Sequence, residues 1–133
     1  ASQQTCFGDP PSTAGGYQHL QADELRSFER MAPMSPAALE VIAARNPVFS
    51  VPAGAVLLNR GTRDSWNLYL LNGTLELTEP DGARHVISGG GPSAKQPVAF
   101  LKPRLFSVRS ATPVEFLWLY EPMVEAVRRL HPA

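Results

Sequence analysis

The 133-residue sequence is poor in the residue types that build disulfide frameworks, metal centres and strongly charged surfaces. Cys6 is its one cysteine, so no disulfide can form within the chain, which favours a cytoplasmic protein. The three histidines are scattered and no serine or cysteine stands in a catalytic motif, which disfavours a metal or nucleophilic enzyme. We therefore expect a protein that is not an enzyme and needs no cofactor.

Net charge and long apolar runs are also absent. Lys plus Arg and Asp plus Glu number 12 each, so no overall field draws the chain to nucleic acid. No apolar run approaches the roughly 20 residues of a membrane-spanning helix. Neither direct nucleic-acid binding nor membrane association is expected.

The composition of residues 1–18 differs from that of the rest of the chain. This segment mixes Pro, Gly, Ser and Gln with few apolar residues, which is typical of a flexible leader. Residues 19–133 have the length and the apolar content of one compact domain. We predict a leader over 1–18 and a single domain over 19–133.

Helical patterns occur at both ends of the predicted domain. Apolar residues recur at three-residue steps between Ala22 and Met31. A second helix begins at the Ser35-Pro36 N-cap and ends at Asn46-Pro47, with an apolar stripe formed by Leu39, Ile42 and Ala43. A last helix is predicted from Pro122 to Leu130, with Met123, Val127 and Leu130 on its buried face.

The middle of the chain has the two-residue period of β-strands. About eight short strands are predicted, the clearest at 48–51, 55–59, 67–71, 74–79, 84–87, 105–111 and 114–120. Asn72-Gly73 and Asp81-Gly82 suit two-residue hairpin turns, and the strands 105–111 and 114–120 are expected to pair. The predicted class is α+β, mainly β: an antiparallel β jelly-roll barrel with two N-terminal helices and a C-terminal helix.

One stretch has a biased charge. No Asp or Glu lies between Gly82 and Val114, whereas five cations do: Arg84, Lys95, Lys102, Arg104 and Arg109. They could be surface residues balanced by acids such as Glu76, Glu79 and Glu115. Alternatively, the glycine-rich loop at 89–91 and the Arg104 guanidinium could hold an anion such as a phosphate. The pattern alone leaves both interpretations open.

The order of several short motifs resembles the cyclic-nucleotide-binding domain of catabolite-activator-type regulators and of cyclic-nucleotide-dependent kinases and channels. These motifs are VPAG at 51–54, Gly61 with Asp64, YLLNGTLEL at 69–77 and PRLFSVRSA at 103–111. The resemblance runs from about Leu39 to Leu130. It implies that Arg104 holds a cyclic phosphate with help from Ser107, and that the last helix relays binding.

The first half of the family's phosphate-binding cassette is degenerate here. AKQPVA at 94–99 replaces the family's F-G-E-L-A, and the carboxylate that accepts the ribose 2′-hydroxyl is missing. Lys95 near that place favours a more anionic ligand, such as a non-standard cyclic nucleotide or a cyclic dinucleotide. The predicted ligand-binding residues are Arg104, Ser107, Lys95, Lys102, Gly90 and Gly91.

Two functions follow from this sequence. The first is a regulatory sensor module that binds an anionic nucleotide-like ligand and relays it through the C-terminal helix. The alternative is a ligand-free barrel that serves as a protein-interaction or dimerisation module. An effector domain outside this chain or a homodimer is the expected partner.

Overall fold

The computed structural model describes residues 19–133; the predicted leader over 1–18 and Cys6 lie outside the described residues. The helices are α1 (Pro36–Arg45) and α2 (Glu121–Leu130), with 3₁₀ helices at Ala22–Ser27 and Pro92–Lys95. The strands are β1 (Phe49–Val51), β2 (Val56–Leu58), β3 (Trp66–Asn72), β4 (Thr74–Thr78), β5 (Arg84–Ser88), β6 (Ser107–Ser110) and β7 (Val114–Tyr120). No helix over 19–133 is long and apolar enough to cross a membrane.

Two antiparallel sheets and one helical layer make up the fold. The first sheet has the strand order β1-β7-β3 and the second the order β2-β6-β4-β5. One cluster of apolar side chains fills the space between the sheets, and it includes Leu68, Leu75 and Phe116. A second cluster joins the other face of the first sheet to the helices, through Tyr69 and Leu117. The mainly antiparallel β class with flanking helices is confirmed.

The first predicted helix is a 3₁₀ helix that ends at Ser27 and gives way to turns. Leu25, Phe28 and Met31 are all buried, as predicted. Their three-residue spacing is the repeat of a 3₁₀ helix, in which residues i and i+3 lie one above the other. The second helix begins as expected, since the Ser35 side chain accepts the backbone N–H of Ala38 and Pro36 opens the first turn.

The predicted pairing of consecutive strands is wrong at two places. Asn72-Gly73 does not close a hairpin, because β3 pairs with β7 whereas β4 pairs with β5 and β6. Likewise β6 and β7 lie in different sheets. These turns are corners at which the chain crosses from one sheet to the other. The hairpin around Asp81-Gly82 is confirmed, since Thr78 lies opposite Arg84. Its two-residue turn is not, because the Glu79 N–H donates to the Ala83 carbonyl at 2.8 Å, so the loop has three residues, and only Gly82 has a positive φ.

The corner at Gly73 depends on this glycine. Gly73 has φ +94°, and a Cβ there would lie 2.4 Å from the Pro113 carbonyl oxygen. Among residues 19–133, the only positive φ at a residue other than glycine belongs to Ala99, so Asn72-Gly73 does not form the predicted turn with two positive φ values. The glycine allows the β3–β4 and β6–β7 corners to pack against each other.

The last helix buries part of the predicted face, together with Val124. Val124 and Val127 are buried, Met123 is partly buried, and Leu130 is 76% exposed. The helix runs from Glu121 rather than Pro122. The helix ends at Leu130, as predicted, but Leu130 is not part of the apolar cluster to which Val124 and Val127 belong.

Candidate functional site

The segment between Pro97 and Phe106 carries the family-like Pro-Arg motif and is hydrogen-bonded to β3 and to the loop before it. The backbone N–H of Val98 donates to the Leu68 carbonyl at 2.8 Å, and that of Arg104 donates to the Thr62 carbonyl at 2.9 Å. The Gly61 N–H donates to the Arg104 carbonyl at 2.8 Å. These bonds fix where the Arg104 side chain enters the protein.

Arg104 is fully buried, and protein groups already bind its guanidinium. Its Nη2 donates to Asp64 Oδ1 at 2.9 Å and to the Trp66 carbonyl at 2.8 Å. Its Nη1 donates to the Ala99 carbonyl at 3.0 Å. Nε is the one buried side-chain nitrogen or oxygen among the described residues that has no hydrogen-bond partner. The arginine is therefore held by internal acceptors, with one donor unused.

Lys102 approaches the same carboxylate. Its Nζ lies 3.6 Å from Asp64 Oδ1 and donates to the carbonyls of Asp64 and Trp66 at 2.9 and 3.0 Å. Burial lowers the pKa of Lys102, and the nearby Arg104 charge lowers it further, whereas Asp64 acts in the opposite direction. We call Asp64, Lys102 and Arg104 the cation cluster, because two cations share one carboxylate.

Aromatic rings pack beside the cation cluster. Trp66 and Trp118 stack with their centroids 5.6 Å apart and their planes 6° from parallel. The guanidinium carbon of Arg104 lies 5.9 Å from the Trp118 ring centre, a distance at which a cation interacts favourably with the ring face. Trp118 is buried and Trp66 partly buried, so this aromatic pair packs against the interior side of the cation cluster.

The six predicted ligand-binding residues do not converge on one site. Lys95, Gly90 and Gly91 line a separate cavity of about 120 Å³ beside the first 3₁₀ helix. Within residues 19–133, no hydrogen bond or ion pair joins them to Arg104. The glycine-rich loop packs closely against the protein's own backbone, since a Cβ on Gly89 would lie 2.4 Å from the Leu71 carbonyl oxygen.

Ser107 and the remaining cations also lie outside the cation cluster. The Ser107 hydroxyl accepts the backbone N–H of Arg60 at 3.2 Å. Arg84 and Arg109 both pair with Glu76, at 3.8 and 3.5 Å. Those two arginines are therefore surface residues balanced by an acid, whereas Lys102 and Arg104 belong to a partly buried site.

Two acids that the sequence did not connect with the cassette lie beside it. Asp64 belongs to one of the family-like motifs, but it pairs with Arg104 across 40 positions, which the motif does not predict. Glu29 is the other: its backbone N–H donates to the Lys95 carbonyl at 2.9 Å, and its carboxylate accepts from the Gln96 amide at 3.1 Å. Nothing in the local sequence predicts that Glu29 reaches the segment that lacks an acid of its own. No group of three His, Cys, Asp or Glu over residues 19–133 could hold a metal ion.

Comparison with known proteins identifies the fold. No family model and no curated protein matches the sequence. Among solved structures, the sensor domain of the transcriptional regulator DNR from Pseudomonas aeruginosa matches with a TM-score of 0.66 and 14% identity, over 83% of this chain and 81% of that one. A cyclic nucleotide-binding-like protein from Brucella abortus matches with a TM-score of 0.63 and 16% identity, over 80% and 96%.

A third structure, the regulatory domain of Toxoplasma gondii PKA with cAMP, matches with a TM-score of 0.65 and 16% identity, over 84% of this chain and 44% of that one. Identities this low carry the fold and not the ligand. These matches show that the chain has a cyclic-nucleotide-binding-like fold.

Proposed function

We propose that the chain is a regulatory sensor module, not an enzyme, and that it binds an anionic nucleotide-like ligand at the cation cluster. The cluster is the observation that carries this proposal. Lys102 and Arg104 bring two positive charges to one carboxylate, and the buried Nε of Arg104 has an unused donor. The excess of one positive charge favours a ligand with at least one phosphate.

The proposal has the phosphate take the place of Asp64 on the guanidinium. Its side chain is 34% exposed, whereas the side chain of Arg104 is completely buried. An anion that approaches from solvent therefore meets Asp64 before it meets the arginine. The ligand phosphate would replace the Asp64 carboxylate on the guanidinium, and Lys102 would bind the same phosphate. A ligand with more negative charge competes better with Asp64.

The lack of a carboxylate for a ribose hydroxyl supports a non-standard ligand. Between Gly82 and Val114 no carboxylate is available for a ribose 2′-hydroxyl, and Glu29 is already bonded to Gln96. The loss of a charge-assisted hydrogen bond weakens binding by roughly 1.5–3 kcal/mol, or about ten- to more than a hundredfold. We therefore expect a cyclic dinucleotide or another non-standard cyclic nucleotide to bind better than cAMP or cGMP.

Contacts between the cluster and α2 support a relay through that helix. Ser65, next to Asp64, accepts the backbone N–H of Glu121 at 2.8 Å, and Glu121 is the first residue of α2. The Glu121 carboxylate also accepts from the Tyr69 hydroxyl at 3.0 Å and pairs with Arg30 at 2.9 Å. A ligand that moves Asp64 would thus move the residue that starts the helix.

Calorimetric titration with cyclic mono- and dinucleotides tests the proposal. If a phosphate replaces Asp64, the Asp64→Asn variant binds the ligand more tightly than the parent chain, because the competing charge is gone. Lys102→Gln weakens binding by about tenfold, and Arg84→Gln, which alters a surface cation paired with Glu76, changes it little. Equal effects of the two cation variants would indicate diffuse attraction and would contradict the proposal.

The internal ion pair also favours the second candidate, a ligand-free interaction module. Arg104 already has three hydrogen bonds to protein acceptors, so the fold is complete without an anion. On this hypothesis no nucleotide stabilises the chain in a thermal-shift panel. A ligand at 100 times its Kd would add about 2.7 kcal/mol of stability, so a flat panel together with self-association in ultracentrifugation would favour the second candidate.

A further inference from the structure

The second sheet has a face that is turned away from the apolar cluster between the two sheets. Leu75, Leu77 and Val108 belong to that cluster, so the residues that alternate with them on β4 and β6 point outward. A concavity of about 390 Å³ lies on this side, and its wall includes Val56, Glu76, Thr78, Arg84, Ser107 and Arg109. None of the three residues of the cation cluster lines it. We call this surface the outer face.

A row of four residues crosses the outer face from one edge strand to the other. Val56 lies opposite Arg109, Arg109 opposite Glu76, and Glu76 opposite Val86. Val56 is 51% exposed and Val86 65%. The next residue, Ile87, is partly buried and packs against the cluster between the sheets, so it belongs to the opposite side of β5. Charged groups thus occupy the middle of the row, and exposed apolar side chains lie at its two ends.

Two arginines of the outer face share one carboxylate. Arg84 and Arg109 lie 3.8 and 3.5 Å from the Glu76 oxygens, and their side chains are 68% and 57% exposed. A charge-assisted hydrogen bond from an arginine to a carboxylate is about 2.7–2.9 Å long, so Glu76 forms such a bond with neither guanidinium. The ionisable residues that line the concavity therefore leave one positive charge in excess, with guanidinium donors available at the surface.

We propose that the outer face is a docking surface for an acidic segment of a partner protein, which brings carboxylates to the two arginines and apolar side chains to the two valines. Guanidinium groups bind carboxylates through two parallel hydrogen bonds, and arginine is enriched in protein interfaces. Apolar side chains of the partner would remove the exposed valines from water. A second copy of this chain fits less well, because two outer faces that meet would each bring the same excess of positive charge. The docking surface does not depend on the proposed nucleotide ligand.

Fluorescence anisotropy of a labelled peptide tests the docking surface, with repeats of Asp-Val-Ser as the acidic probe and repeats of Asn-Val-Ser as its neutral counterpart. We expect saturable binding of the acidic probe only, and weaker binding in added salt because the arginines are exposed. Arg109→Gln and Arg84→Gln should each weaken binding by about fivefold, and the double variant by more than about tenfold. Val86→Thr, which keeps the shape of the side chain but adds a hydroxyl, should weaken it by about threefold. Glu76→Gln should tighten binding, because the competing carboxylate is gone.

Arg129→Gln is the matched control. Arg129 is also an exposed arginine close to a glutamate, since it lies 3.4 Å from Glu125, but it stands on α2 and does not line the outer face. The variant has the same net charge as Arg109→Gln and should bind the acidic probe as the parent does. Equal losses in these two variants would overturn the proposal, because the attraction would then be diffuse. Absence of binding by the acidic probe, or equal binding of the neutral probe, would also overturn it.

Two further measurements separate the docking surface from its alternatives. A concentration-dependent dimer that Arg109→Gln abolishes in ultracentrifugation would overturn the proposal, since the outer face would then be a contact between copies. In calorimetric titration with cyclic nucleotides, Arg109→Gln should behave as the parent does. A chain that binds the acidic probe but no cyclic nucleotide contradicts only the proposed nucleotide ligand, whereas a chain that binds a cyclic nucleotide but not the probe contradicts only the docking surface.

Discussion

Replacement of Asp64 by alanine tests how much the fold depends on the cation cluster. The change removes the carboxylate from a fully buried guanidinium at 2.9 Å and from the Lys102 amine at 3.6 Å. Loss of one partner of a buried ion pair costs about 3–5 kcal/mol. Because Asp64 is one-third exposed and Arg104 keeps two carbonyl acceptors, we expect the free energy of unfolding to fall by about 2–4 kcal/mol.

Asp81→Ala is the matched control. Asp64 and Asp81 each accept the backbone N–H of the residue two positions later, at 2.9 Å in both cases. Of these two aspartates, only Asp64 also forms an ion pair with another described residue. Asp81→Ala should therefore cost less than about 1 kcal/mol, which measures the turn contribution that the two sites share.

Urea unfolding followed by circular dichroism measures the two losses, with the slope on denaturant checked for two-state behaviour. Asp64→Asn should fall between the parent and Asp64→Ala, because the amide keeps an oxygen acceptor but loses the charge. Added phosphate should restore part of the stability of Asp64→Ala if an anion can replace the carboxylate. Equal losses for Asp64→Ala and Asp81→Ala would refute the assignment of the cation cluster as a stabilising site.

Further predictions concern the corner, a buried hydroxyl and the last helix. Gly73→Ala should cost more than about 2 kcal/mol in urea unfolding and Gly82→Ala only about 1, because both have positive φ but only Gly73 lacks space for a Cβ. Burial chiefly, and then the Glu121 carboxylate, raise the pKa of Tyr69 well above its ordinary value of 10.0. The folded state thus keeps a proton that the unfolded state loses, so stability should fall above about pH 10, and Tyr69→Phe should reduce that fall. A hydrogen bond to Arg128 lowers the pKa of Glu125 to about 2 from an ordinary value of 4.5, so its stabilisation is present above pH 4.5 and is lost as the pH falls toward 2. Carboxyl titration by NMR should find this pKa raised in Arg128→Gln.

The elements of the fold could be predicted because their signals are local. Ser35 and Pro36 specify the start of α1, and the alternation of Leu75 and Leu77 with polar neighbours specifies β4. Strand partners could not be predicted in the same way. A corner glycine such as Gly73 and a hairpin glycine such as Gly82 look alike in sequence, because both supply a positive φ. Which sheet the next strand joins is decided by packing between distant residues.

For the candidate site, too, local features could be predicted and distant contacts could not. The bias of charge between Gly82 and Val114 and the Pro-Arg motif identified Arg104 as a residue of interest. Its partner could not be predicted, since Asp64 is separated from it by 40 positions and stands outside the biased stretch. The pocket lined by Ile87, Phe100 and Leu105 could not be predicted, because its wall combines one residue of β5 with a 3₁₀ helix and an irregular segment, which share no common period. Sites assembled from such segments carry no spacing that a sequence can reveal.

The strand order has a consequence for synthesis of the chain. β7 is the last strand, yet it is the central strand of the first sheet, with Phe116 opposite both Phe49 and Leu70. β1 and β3 therefore leave the ribosome long before their shared neighbour exists. The β4–β5 hairpin can form early, because its strands are adjacent in sequence. Until β7 is made, two unpaired strand edges and the apolar surface beneath the helices stay open to solvent and to other chains.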